Sequence, residues 1–326
     1  MKKKIALVTG GLSGEAQISY KSAITVSNNT DREKFEVFRI DINETGWWYT
    51  PEQGEKLAVD KSDFTIIDHH QKIHFDAILL CIHGTPGEDG KLQGYFDMLQ
   101  LPYTSCDAAT SALTFNKRYT VAVASFAGIH VAKSLHLFKH TPITSEAVLE
   151  NLQLPVFVKP NNGGSSIGMS KVLVATDLDA AIDKAFKEDD QILIEEFISG
   201  REFTIGVFKT KGVITVLPIT EIKTGNTFFD FEAKYLGKSE EITPAIITEV
   251  MLQKLSAAAK RVYEVMNCRG VVRIDFIYQE ESAKPYMLEV NTVPGQSEAS
   301  IIPQQVLAMG WNLKDFYTAI LEEALN

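Results

Sequence analysis

Cysteine is scarce. Three residues in 326, Cys81, Cys106 and Cys268, are cysteine, and none stands in a CxxC or Cys/His spacing. So odd and scattered a set supplies neither a disulfide framework nor a zinc site, and a reducing cytoplasm is the expected compartment. Long apolar runs are also missing. Met1 to Lys4 is basic, but the run after it, Ile5 to Val8, soon meets Gly10-Gly11. That is too short for a signal-peptide core or a spanning helix, so no membrane partner is expected and the run reads as a buried strand. Positive charge is short as well: 32 Lys and Arg against 42 Asp and Glu leave a net charge of -10. A broad nucleic-acid footprint is thereby disfavoured, although a small anion needs only a local basic cluster. Two nucleotide motifs are absent too. No GxxxxGK[ST] occurs, and Leu12 stands where a GxGxxG fingerprint needs its second glycine. That spacing weakens the dinucleotide site that Asp41, ending a strand, would otherwise invite.

What is present, 45% hydrophobic and 23% charged residues, fits an ordinary globular chain of about two or three domains. Ile5 to Thr9 predicts a first strand, the glycines Gly10, Gly11 and Gly14 a turn, and Ile18, Ala23 and Val26 a helix over Glu15 to Asn28. Phe35 to Ile42 and Asp76 to Ile82 have the unbroken apolar character of a parallel sheet covered on both faces. An α/β domain therefore opens the chain. Glu15 begins the first helix at the carboxyl end of that sheet, where open α/β sheets place ligands. It either holds an ammonium group or complements the helix dipole. His83 ends the third strand before the turn-rich GTPGEDG, as a ligand contact or a hydrogen-bonded loop histidine.

Short helices are expected over Asp107 to Asn116, capped by Asp107, and over Tyr119 to Gly128, with Lys117 between them. A strand is expected from Ile129 to Leu137 and a helix over Ser145 to Leu152. The stretch from Leu154 to Val174, LPVFVKPNNGGSSIGMSKVLV, then sets Lys159 at a strand end, with Pro160 stopping the ladder. Gly163, Gly164, Ser165, Ser166 and Gly168 let backbone N–H groups and hydroxyls approach an anion without Cβ atoms in the way. A strand-loop-strand of this kind is either a lid over phosphates or a simple turn. Asp177 should cap a helix through Lys187, and the strand QILIEEFI carries Glu195 and Glu196 on opposite faces, one toward a cleft and one toward solvent. Glu202 lies just beyond Gly200. Residues Lys223 to Ser239, rich in Phe and Tyr, read as a lid with Lys234 and Tyr235 at its tips.

The C-terminal hairpin pairs VVRIDFIY with YMLEVNT. Alternation puts Arg273 and Asp275 on one face and Glu289 and Asn291 on one face, with Val272, Ile274, Leu288 and Val290 toward the core. Asp, Glu and Asn without His or Cys suit a hard Mg²⁺ that takes its other ligands from phosphate and water. Arg273 can stabilise negative charge developing beside them. The alternative is a solvated sheet face.

GGLSGEAQIS, IHGTPGEDGKLQG, LPYTS, FNK, VKPNNGGSSIGMSKV, LIEEFISGREFT, FEAKYL, RIDF and LEVNTVPGQSEASIIP follow one another over nearly the whole chain. In this order and spacing they resemble the ATP-grasp enzymes and, within them, the D-alanine:D-alanine ligase family. The resemblance implies an α/β fold, α+β in its ATP-binding half, with three domains: 1–105, a central 106–217, and 218–326 with the lid 223–239. It implies ATP between two antiparallel sheets, two Mg²⁺ ions with Mn²⁺ as a substitute, a cytoplasmic homodimer, and D-alanyl-D-alanine made through an acyl phosphate for peptidoglycan precursors. Carried onto this chain, Lys117 and Lys159 resemble the lysines on the ATP phosphates, and Ser165 and Ser166 the loop closing over them. Glu195, Glu196, Phe197 and Ile198 would line the adenine pocket, Glu202 would take the ribose and Lys234 the γ-phosphate, and Asp275, Glu289 and Asn291 would bind metal. Glu15 and His83 would surround the first D-alanine, Glu15 linking through Ser165 to Tyr235. Arg273 and Gly295 would stabilise the oxyanion, and Ser300 with Ile301 would receive the second D-alanine.

Gln296 and Ser297 stand where the family commonly has Met-Thr, and Glu196 where it often has lysine. Tyr235, where D-lactate ligases tend to carry phenylalanine, implies dipeptide synthesis. Three rival readings are another ATP-grasp carboxylate-amine ligase, akin to biotin carboxylase or glutathione synthetase, a silent nucleotide-binding module, and a dinucleotide oxidoreductase.

Overall fold

A computed structural model describes residues 2–51, 54–141, 143–164, 167–224 and 239–326. Its first sheet has five strands in the order β4-β3-β2-β1-β7. β1 (Lys3–Gly10) runs parallel to both β2 (Phe35–Asn43) and β7 (Ala77–Leu80), while β3 (Gly46–Tyr49) and β4 (Leu57–Ala58) complete an antiparallel edge. Ile5, Ala6, Leu7 and Val8 are all fully buried because β1 is covered on both faces. Ala6 and Val8 pack among Phe38, Ile40 and Phe96 of α2 (Lys91–Met98). Ile5 and Leu7 face α1 (Ala16–Asn29) and the last helix, α9 (Leu313–Ala324). At roughly 1.5–3 kcal/mol per buried aliphatic side chain, this two-sided cover holds the strand ends rigid. A small hairpin, β5 (Ile66–Asp68) and β6 (Gln71–Ile73), stands apart as its own two-stranded sheet.

Helices α3 (Ala108–Phe115) and α4 (Lys117–Phe126) lead away from this domain, capped by Asp107 and Asn116. The second sheet is antiparallel, β10-β9-β11-β8. It joins β8 (Ser134–Phe138), β9 (Val156–Pro160), β10 (Ser170–Val172) and β11 (Gln191–Glu196). Val156, Val158, Ile192 and Ile194 pack on α5 (Ser145–Asn151) and α6 (Leu178–Ala185). β8 begins five residues later than Ile129. Pro160 does not stop β9 at Lys159: it stays in register with Ile192, and Asn161 N–H then reaches the Gln191 carbonyl. Asp177 stands at the N-cap position of α6 but makes no side-chain cap bond there, since it ends a 3-10 turn, Ala175–Asp177.

The third sheet centres on β12 (Arg201–Thr210), with β13 (Val213–Val216) and β14 (Thr220–Thr224) paired along it and β15 (Ser239–Ile242) beyond β14. On its other side β12 pairs with β16 (Val271–Gln279), which pairs with β17 (Lys284–Asn291). Helix α7 (Glu249–Val265), capped by Thr248, covers the apolar face. Because β12 and β13 hydrogen-bond into this sheet, the second and third sheets divide between Glu196 and Arg201, not near Pro218. A bulge between Asp275 and Phe276 sets Glu289 opposite Asp275 and Met287 opposite Phe276, leaving Leu288 without a ladder partner. The parity changes there. Met287 and Val290 enter the core, and Leu288 lines the cleft instead of pointing inward as strict alternation predicts.

Gly270, just before β16, fixes this sheet against the first domain. Its φ is +62°, and a Cβ there would stand 1.8 Å from the Thr104 carbonyl oxygen, so no other residue fits. The last two helices, α8 (Ile301–Ala308) and α9, return the chain to the first sheet, where Phe316 and Leu321 share a core with Ile5 and Leu7.

Candidate active site

Two adjoining cavities open between the sheets, of about 330 Å³ and about 420 Å³. They share Lys117, Gly163, Gly164, Glu202, Asp275 and Glu289, so they form one cleft. The larger is lined on one side by the central sheet and on the other by the third. On the central sheet, Phe157 and Lys159 of β9 and Glu195 of β11 share the face away from the Val156 and Val158 core, and Lys159 Nζ forms an ion pair with Glu195. Their side chains are only 13% and 9% exposed, so each neutralises a charge that burial alone would make costly. Glu196, on the opposite face, ends its strand by accepting the Gln153 N–H at 2.9 Å. Both carboxylates nonetheless line the cavity, so the expected division of one toward the cleft and one toward solvent is not kept, and Glu195 is engaged by lysine. Phe157 and Phe197 face each other with ring centroids 6.0 Å apart, and Lys171 Nζ lies 3.8 Å from the Phe197 centroid. Met169, Ile167, Ile277 and Leu288 make the remaining wall apolar. Such a slot suits a flat ring with polar edges.

Lys117 Nζ donates to the Gly163 carbonyl at 2.7 Å, placing a cation at the root of the Gly-Ser loop where the two cavities meet. A Cβ on Gly164 would stand 3.2 Å from Glu15 Oε1, and one on Gly84 would stand 2.8 Å from Glu15 Oε2. The Glu15 carboxylate thus sits between the Gly-Ser loop and the loop after β7, and makes no side-chain cap on α1. Ser165, Ser166, Lys234 and Tyr235, with most of the expected lid, lie outside the described residues.

On the third sheet, Arg273 is bidentate to Asp275 at 3.1 and 3.0 Å and lies 3.8 Å from Glu289. Thr204 also donates to Asp275, and Asn291 Nδ2 is 3.4 Å from its Oδ2. Among the described residues no group of three or more His, Cys, Asp and Glu forms a metal cage. Two carboxylates and an amide oxygen fit a hard divalent ion that completes its shell with phosphate and water.

The smaller cavity gathers Glu15, His83, Arg273, Gly295, Ser300 and Ile301. A Cβ on Gly295 would stand 2.8 Å from Ser300 Oγ, which itself meets Ser297 Oγ at 2.7 Å. His83, just past the edge strand β7, is a hydrogen-bonded loop histidine. It is 5% exposed, with both ring nitrogens hydrogen-bonded, and burial pushes its pKa below the ordinary 6.5. Glu88 goes unrecognised in the sequence. It accepts the Gly84 and Val293 N–H groups at 2.8 and 3.1 Å, and burial, with Glu15 nearby, pushes its pKa up to about 8. Ser22, Thr204 and Glu221 are also missed. Ser22 looks like one more small residue on the buried face of α1, and Glu221, held bidentately by Arg201 at 2.7 and 2.9 Å, looks like an ordinary strand acid. Only the GTPGED turn acids carried a signal, through their place beside His83.

Comparison with known proteins agrees along the whole chain. The family model for the D-ala D-ala ligase N-terminus matches residues 4–106, and that for the D-ala D-ala ligase C-terminus matches residues 116–322. A D-alanine–D-alanine ligase of Parabacteroides distasonis is 44% identical over 325 residues, covering 100% of this chain and 98% of its own. Among solved structures, the VanG D-Ala:D-Ser ligase from Enterococcus faecalis superposes with a TM-score of 0.88 at 31% identity, over 99% of this chain and 100% of that one. A D-alanine–D-alanine ligase from Bacillus anthracis complexed with ATP gives 0.80 at 26%, over 99% and 97%. With its ATP-grasp fold, two antiparallel sheets facing across one cleft, this chain belongs to the D-alanine–D-alanine ligase family.

Proposed function

We propose that this chain joins two D-alanines into D-alanyl-D-alanine, consuming ATP through an acyl phosphate, for peptidoglycan precursor synthesis. The observation that carries the reading is a single cleft that places a lysine-flanked slot beside an Arg-Asp-Glu-Asn cluster and then beside Glu15, Gly295 and Ser300. The adenine occupies the slot between Phe157, Phe197 and Leu288, with Glu195, Glu196 and Ile198 at its edges and Glu202 toward the ribose. Lys117 and Lys159 balance phosphate charge, joined by Ser165, Ser166 and Lys234. Asp275, Glu289 and Asn291 would hold a Mg²⁺ ion, which would supply Lewis-acid neutralisation of the transferring phosphoryl group.

Glu15 holds the first D-alanine by its ammonium group, with His83 near it and Ser165 and Tyr235 completing the contact. The carboxylate oxygen of this first D-alanine attacks the γ-phosphorus, the bond from phosphorus to the β–γ bridging oxygen breaks, and ADP leaves. The second D-alanine, its carboxylate at Ser300 and Ile301, attacks the activated carbonyl with its free amine. Arg273 and the Gly295 N–H stabilise the oxyanion, and phosphate departs with the C–O bond. Closure of 223–239 keeps water from the acyl phosphate. We further propose three domains, 1–105, 106 to about 200 and the remainder, a homodimer, and a cytoplasmic site of action. Among the described residues no helix is long and apolar enough to cross a membrane.

The test is ADP release with ATP, Mg²⁺ and D-alanine, against L-alanine and no amino acid, with the product identified by mass. Equal ADP and D-alanyl-D-alanine with D-alanine alone is the expected result. Turnover with a different acid and amine would retain the nucleotide site and discard the substrate assignment.

A further inference from the structure

The loop that carries Gly295 is clasped from the opposite end of the chain. His83 Nδ1 lies 2.6 Å from the Val293 carbonyl oxygen. That oxygen only accepts, so Nδ1 bears the hydrogen and Nε2 of the neutral ring is an acceptor. Ser22 Oγ stands 2.8 Å from Nε2 and donates to it, while accepting the Gln296 N–H at 3.0 Å. The donors run in one consistent order: Gln296 N–H to Ser22, Ser22 O–H to His83, His83 N–H to Val293. Ser22 is fully buried, and His83 and Gln296 are 5% and 6% exposed, so bulk water does not compete for these bonds. The residues tied together are 210 and 274 positions apart in the chain. Gln296 is held a second time, its side-chain oxygen accepting from Tyr317 OH at 3.2 Å.

We propose that Ser22 is a positioning residue: through His83 and the Gln296 amide it sets the Val293–Gln296 loop so that the Gly295 N–H meets the oxyanion in the amide-forming half of the reaction. The inference rests on the ligase reading above. Ser22 lines neither cavity, and in Ser22→Ala His83 keeps its bond to Val293 beside the first D-alanine, so the groups engaged in phosphoryl transfer stay in place. Amine attack needs the oxyanion donor in place. When the loop drifts, water attacks the waiting acyl phosphate instead. A carbonyl C–O bond to water forms, the C–O bond to phosphate breaks, and D-alanine and phosphate result, so ADP is made without dipeptide.

ADP and dipeptide are to be measured separately for the wild type, Ser22→Ala, His83→Asn and the double variant, with melting temperatures as a check on folding. His83→Asn keeps an N–H for Val293 and removes the Nε2 partner of Ser22. Ser22→Ala should lower kcat for dipeptide about tenfold, raise ADP per dipeptide to about two or more, and leave KM for ATP within about twofold. The double variant should lose less than the product of the single losses. Several outcomes overturn the proposal: ADP and dipeptide staying equal in Ser22→Ala, whether kcat falls or not; a lowered melting temperature with unchanged kinetics; or fully multiplicative losses. A wild type that makes no dipeptide at all would fail the ligase reading, which is a separate result.

Discussion

In the part of the cleft proposed for the nucleotide, the charged contacts join strands near one another in the chain, whereas the part proposed for the amino acids is tied together across most of its length. Lys159 meets Glu195 on a neighbouring strand, and Asp275 meets Asn291 16 residues later across one hairpin. On the other side, Glu88 holds Val293 from 205 residues away, His83 holds Val293 from 210, and Ser22 holds Gln296 from 274. Local strands with period-two alternation can build a charged surface almost independently of the rest of the fold. A substrate pocket made from three loop ends needs every domain in its place first. The first half should therefore respond to substitution as a set of charges, and the second as a set of positions.

The largest effect expected from this contrast is at Glu289, where charge alone is changed. Glu289→Gln keeps the shape and should lower dipeptide turnover by about a thousandfold or more, with the fold and ATP binding retained. Near wild-type ADP release from this variant would remove Glu289 from the metal set. Next comes Lys159→Met, which leaves Glu195 buried without its cation. It should raise KM for ATP and cost about 3–5 kcal/mol of stability. Adding Glu195→Gln should restore most of the stability and none of the ATP affinity. Denaturant melts and ATP titrations of both proteins separate the two roles, and a double variant that regains ATP binding would break the assignment.

The last test falls on the amino-acid half and reads its stability against pH. Glu88 has its pKa raised from an ordinary 4.5 to about 8. The folded chain therefore keeps a proton that the unfolded chain releases between those values. The stability this contributes is complete below about pH 4.5 and is lost as pH rises through about 8. Glu88→Gln, which resembles the protonated form, should flatten the fall in melting temperature across that window. Parallel slopes for the two proteins would show that Glu88 is ionised throughout.

Much of the site was legible because its signals are local. Asp107 caps the helix expected of it, and the VVRIDFIY and YMLEVNT strands pair as a hairpin. The errors arose where a local rule met a longer-range constraint. Leu288 escapes alternation because the bulge at Asp275 inserts a residue, and β12 joins the C-terminal sheet because its long face matches β16 from Arg201 to Phe208. Ser22 carried no functional signal, and Glu88 none beyond its place beside His83, since their roles depend on which distant backbone N–H comes to rest against them.

The sequence by itself determined the helices and strands, the all-oxygen donor set and, through its ordered motifs, the family. Those properties depend on side-chain chemistry at spacings of a few residues. Tertiary structure alone decided that His83 would be held at both nitrogens, that Glu15 would face the glycine-serine loop, and that the Gln296 N–H would meet Ser22 of α1. Burial and hydrogen-bond partners set those states, and both come into being only when residues remote in the chain pack against one another.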